Sequence, residues 1–183
     1  LFNVLLSYGL ETAFFRFFNS YKNKASVVNT ASISILLTST IFLVLGLSFT
    51  DQISGFIGIR PDYLTLVIWI LVLDSLVVIP FAYLRLKDKA VKYAMIKIFN
   101  VVINVLLNVF FLIYLKNNHT ESLTLGIIYD DNSQINYIFI SLLISSALTF
   151  LVMINFYFKI QYKIDFILLK KMLKYSMPIL LAG

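Results

Sequence analysis

The sequence has no cysteine, a single histidine, and only 13% charged residues across 183 positions. Without cysteine there is no disulfide framework, thiolate metal site or thiol nucleophile. Soluble domains carry about 25% charged residues, so this chain lacks the polar surface that keeps a protein folded in water. It also lacks a phosphate-binding glycine loop with lysine and serine or threonine, an HExxH pair, and any nucleophile beside a partnering base. These absences argue against direct ATP hydrolysis, metalloprotease chemistry and enzymatic activity in general. Internal repeats, low-complexity tracts and soluble domains are missing too. No cofactor or metal is expected.

What is present is apolar: 60% of residues are hydrophobic and the mean hydropathy is +0.91. Four uninterrupted runs, residues 27–49, 63–84, 93–115 and 135–158, each supply the roughly 20 residues that cross a 30 Å hydrocarbon core as a helix. Two partial runs flank them, at 1–18 and 175–183. The fold class expected is all-α, a polytopic transmembrane helical bundle. The chain opens and closes inside apolar runs, so it is expected to be part of a longer protein. Residues 1–6 carry no basic region of the kind that opens a signal peptide, and targeting is expected to reside in the spans.

Charge alternates from loop to loop. All basic residues except Arg60, Lys97 and Lys116 fall in segments 16–26, 85–92 and 159–174. The intervening loops, 50–62 and 116–136, hold Asp51, Asp62, Glu121, Asp130 and Asp131. By the positive-inside bias, the basic loops face the cytoplasm. The same bias accounts for the net charge of +6 without nucleic acid as a partner; the partner implied is the lipid bilayer. Residues 159–174 mix apolar and basic positions, as in a helix lying in the cytoplasmic interface, although a solvated connector reads almost as well. His119 and the cluster Asp130, Asp131, Asn132 and Ser133 read as polar turn chemistry rather than a cation site.

The spans are informative where polar groups interrupt them. An ionised side chain at mid-bilayer costs about 2.5 to 3.5 kcal/mol on insertion scales. Asp74 lies halfway along 63–84, too short to reach either surface, so it is protonated, paired with a cation such as Lys97, or exposed to a wet cavity. Arg85 shares its face at the cytoplasmic end. Pro80 removes a backbone hydrogen bond and can bend the helix. In the next span Tyr93, Lys97, Asn100, Asn104 and Asn108 follow spacings of 4, 3, 4 and 4, confined to an arc of roughly 80° at 100° per residue. Two readings stand for that stripe: asparagines bonding across a helix interface, or the lining of a lumen. Glu11 lies inside the cytoplasmic end of the first run, with Thr12, Arg16 and Asn19 on a second polar edge. Ser141, Ser145 and Thr149, and likewise Thr30, Ser34 and Thr38, read as small-residue packing stripes.

Three stretches resemble the polysaccharide biosynthesis proteins, including O-antigen flippases, of the multidrug/oligosaccharidyl-lipid/polysaccharide exporter superfamily. They are SYGLETAFFRF at 7–17, the run from Asp74 through PFAYLRLKDKAVKYAMIKIFNVVINVLLNVFFL to Leu112, and LKYSMPILLAG at 173–183. The resemblance implies most of an amino-terminal lobe, with the first helix, part of the second and a second lobe absent. It implies a bacterial inner-membrane transporter that flips an undecaprenyl-diphosphate-linked oligosaccharide by alternating access, alongside other polysaccharide assembly proteins. Arg16, Arg85 and Lys97, with Asn100, Asn104 and Asn108, become candidates for substrate binding. Glu11 and Asp74 are candidates for ion coupling, and Pro80 and Pro178 for hinges. A cation-coupled multidrug exporter of the same fold, or a membrane glycosyltransferase or polymerase, is the alternative.

Overall fold

The computed structural model describes residues 9–115 and 134–182, the last four by backbone alone. His119, Glu121 and the Asp130 to Ser133 cluster lie outside the described residues. So do residues 1–8, the start of the first expected run.

The chain is an all-α polytopic bundle, with no strand among the described residues. Its helices are α1 (Leu10–Ser20), α2 (Lys24–Ser48), α3 (Thr50–Ile57), α4 (Pro61–Leu76), α5 (Val78–Leu86), α6 (Ala90–Val109), α7 (Gln134–Tyr157) and α8 (Phe166–Ala182). α4 and α5 together form one span and α6 continues as a π-helical turn over Phe110–Leu115. Among the described residues four helices are therefore long and apolar enough to cross a membrane: Lys24–Ser48, Pro61–Leu86, Ala90–Leu115 and Gln134–Tyr157. Each agrees with an expected span to within three residues, because the bilayer sets a length that the apolar runs meet.

Helix ends follow local chemistry. The Asn23 side chain accepts from Ser26 N at 3.2 Å, capping α2. Pro61 opens α4, where its missing N–H costs nothing. α3, inside what reads in the sequence as a plain outer loop, ends at Gly58 with φ of 75°, a left-handed position that glycine takes without strain. Gly9, at φ of 63°, likewise takes a left-handed position, immediately before α1.

α1 is amphipathic: Leu10, Ala13, Phe14 and Phe18 are buried at helical spacing, opposite the edge with Thr12, Arg16 and Asn19. They meet Val27, Ile35, Ile79, Leu168 and Met172 in the main apolar cluster, which joins α1, α2, α5 and α8. α7 packs between α4 and α6, and α2 lies along α4. Ser39 and Ser75 hydroxyls meet at 2.7 Å in the α2–α4 seam. Residues 159–165 are pinned to the start of α2, where Asn29 Oδ1 accepts from Gln161 N at 3.2 Å and Thr30 Oγ1 from Asp165 N at 3.1 Å. Asp165 in turn caps α8 through Leu168 N at 3.0 Å. The amphipathic stretch read at 159–174 thus divides into a tied connector and the first half of a helix that runs on through Pro178.

The break in the Pro61–Leu86 span has a defined cause. Pro80 cannot donate to the carbonyl of Leu76, four residues earlier, and its ring crowds that carbonyl. Helical bonding lapses at Val77, and the Tyr157 hydroxyl of α7 donates to the Leu76 carbonyl at 2.5 Å. In a medium without water, such a replacement is what makes a proline in a span tolerable.

Candidate functional site

Beside that break, α1, α4, α5, α6 and α7 enclose a cavity of about 320 Å³. Glu11, Asp74, Arg85, Lys97 and Asn100 line it, together with Tyr93, Phe81, Val77, Val78, Leu142, Ser146 and Thr149. Arg85 sits at the basic end of its span, and Asp74 lies 11 residues deeper, about 16 Å at 1.5 Å per residue. The cavity therefore extends from the lysine-rich end to about the middle of the hydrocarbon core.

Each charge in it has a neighbour that lowers its cost. Arg85 forms an ion pair with Glu11, both side chains being 38% exposed. The Arg85 guanidinium also lies over the Phe15 and Tyr93 rings, at 4.9 and 5.3 Å from their centroids. Lys97 Nζ stands 4.7 Å from the centroid of Phe81. Asp74 Oδ1 accepts from the Ser146 hydroxyl at 2.8 Å. Two carboxylates and two cations thus line one cavity.

The asparagine stripe divides. Asn100 lines the cavity while donating to the Ser145 carbonyl at 3.0 Å and to Thr149 Oγ1 at 2.8 Å. Asn104 reaches Ser145 Oγ at 3.4 Å, and Asn108 donates to the Asn104 carbonyl and Oδ1 at 2.9 and 3.0 Å. Neither of these two lines the cavity. Asn108 Oδ1 is buried without a hydrogen-bond partner among the described residues. Lys97 and Asn100 therefore line the cavity, Asn100 and Asn104 bond across to α7, and Asn108 bonds within α6. Ser141, Ser145 and Thr149 are buried on α7, two of them receiving the asparagines.

Arg16 stands apart, its guanidinium 4.3 Å above the Tyr175 ring on α8 and outside the cavity. Pro178 is exposed within α8, also away from it. Pro80 is buried one turn from Val77, which lines the cavity, but does not line it itself. Ser146 and Tyr157 escape sequence reasoning. Ser146 is one residue, or about 100°, off the small-residue stripe, and its only signal is the Ser145-Ser146 doublet. Tyr157 closes an apolar run and resembles any interfacial tyrosine.

Among the described residues no three histidine, cysteine or acidic side chains gather as a metal site. Compared with family models, curated proteins and solved structures, the chain matches none.

Proposed function

We propose that the chain forms part of a transporter that moves an undecaprenyl-diphosphate-linked oligosaccharide across the bacterial inner membrane by alternating access, its lysine-rich end in the cytoplasm. The observation that supports this reading is the cavity, in which Arg85 and Lys97 stand with Glu11 and Asp74 among membrane-spanning helices. A diphosphate entering from the basic end competes with Glu11 for Arg85, and charge-assisted bonds of that kind are the strong ones. The displaced carboxylate then takes up a proton or cation, which ties cargo to coupling ion. A drug exporter would need a cavity dominated by acids and aromatics, whereas the two cations here suit an anionic cargo.

A deletion strain tests the reading through its lipid-linked glycans. Accumulation of full-length repeat units on the cytoplasmic leaflet is expected. Repeat units missing a sugar would point to a transferase instead. Orientation is checked with single cysteines: positions 87 and 163 are shielded from an impermeant thiol reagent in intact cells, and position 121 is labelled.

A further inference from the structure

A second crevice, of about 330 Å³, opens at the lysine-rich end of the bundle and shares no residue with the central cavity. Three sequence-distant lysines line it: Lys24 from the first turn of α2, Lys87 after α5, and Lys159 after α7. Lys24 and Lys87 converge on one ring, their ammonium groups 5.3 and 5.9 Å from the centroid of Phe18. Lys87 is also 5.8 Å from the Tyr83 ring. No aspartate or glutamate lines the crevice. Its remaining walls are apolar except for Asn29, whose Oδ1 is already taken by Gln161 N, leaving its amide N–H groups as the donors on offer. Bringing like charges together without a counter-charge is unfavourable, and an anion between them relieves it.

We infer that this crevice is a binding site for the phosphate headgroup of an anionic phospholipid, distinct from the transport cavity. The helix ends place it at headgroup depth, the ammonium groups supply point-charge recognition of phosphate, and the apolar walls accept the start of an acyl chain. Basic pockets between spans are suited to such headgroups. The bilayer is the one phosphate source that is always within reach of this depth.

The test uses the full protein in mild detergent and a fluorescent phosphatidylglycerol as probe, with phosphatidylcholine and inorganic phosphate as competitors. Phosphatidylglycerol is expected to bind, unlabelled phosphatidylglycerol to displace it, and both competitors to fail. Each of Lys24→Gln, Lys87→Gln and Lys159→Gln should weaken binding roughly fivefold, and the triple variant roughly a hundredfold. Lysine-to-arginine changes should retain it, and Lys22→Gln, outside the crevice, should have no effect. Wild-type affinity that does not fall with added salt overturns the proposal even where variants fail to fold. So does displacement by phosphatidylcholine, or by inorganic phosphate as well as by lipid. Loss of lipid binding with glycan export intact would leave the transport reading standing and confirm that the two sites are separate.

Discussion

The consecutive spans Pro61–Leu86 and Ala90–Leu115 are equally long and comparably apolar, yet they meet their surroundings in opposite ways. The first is embedded, with Ile68, Ile70, Val72, Ser75, Ile79, Pro80, Phe81, Ala82 and Leu84 buried. The second is peripheral: between Ala90 and Val109 only Ile96 is buried, while Val91, Ile98, Val101 and Leu106 face outward. Hydropathy says that both cross a membrane and leaves open what covers them. Lipid tails are as apolar as leucine, so apolar contact alone gives a span little reason to choose a helix over lipid. The polar residues decide the position of α6, with Asn100 and Asn104 bonded to α7 and Lys97 turned toward the cavity.

This difference is most sharply broken by separating fastening from cargo binding. Among the described residues Lys97 forms no hydrogen bond or ion pair, its ammonium standing over the Phe81 ring, so Lys97→Gln should leave the unfolding temperature unchanged. The same change should weaken binding of the lipid-linked glycan by the full protein ten- to hundredfold, about 1.5 to 3 kcal/mol, with Lys97→Arg milder. Near-wild-type binding would remove Lys97 from the proposed cargo site. Asp74→Asn, with abundance measured in parallel, should reduce export more than folding; unchanged export across external pH and sodium would end the proposed coupling role.

Next in size is the embedded span. Tyr157→Phe leaves the Leu76 carbonyl without its donor and should destabilise the protein by about 1 to 3 kcal/mol in detergent unfolding. Pro80→Ala restores an N–H facing that carbonyl, so it should recover part of the loss in the Tyr157→Phe background. Strict additivity in this double-mutant cycle would show that proline and tyrosine do not share the carbonyl. Smallest is the peripheral span. Asn100→Leu should cost about 0.6 to 1.7 kcal/mol, and Asn104→Leu less, because its contact to Ser145 is a long 3.4 Å. A cysteine at position 100 should react with an aqueous reagent and one at 104 should not. Equal reactivity would erase the division of the stripe.

The spans were legible because bilayer thickness fixes their length, and the stripe on α6 because helical periodicity fixes its arc. Where that stripe passes from cavity to seam was not legible, since it depends on the depth at which the serines of α7 lie alongside. Pro80 announced a bend, but the lapse at Val77 and its repair by Tyr157 join residues 81 apart. The Glu11–Arg85 pair, 74 residues apart, is invisible for the same reason: no spacing rule links helices that tertiary packing alone brings together. α3 was missed because its short sequence, read as a polar outer loop, lacks enough turns to show a period.

The bond between Tyr157 and Leu76 also sets an order of events during synthesis. The Leu76 carbonyl enters the membrane when its own span does, but the donor that satisfies it is translated 81 residues later. At about 5 to 20 residues per second, the nascent chain spends roughly 4 to 16 s with that carbonyl dependent on a temporary donor. The bend at Val77 therefore takes its final form only after α7 arrives, which makes one of the two most embedded spans among the described residues one of the last to be completed.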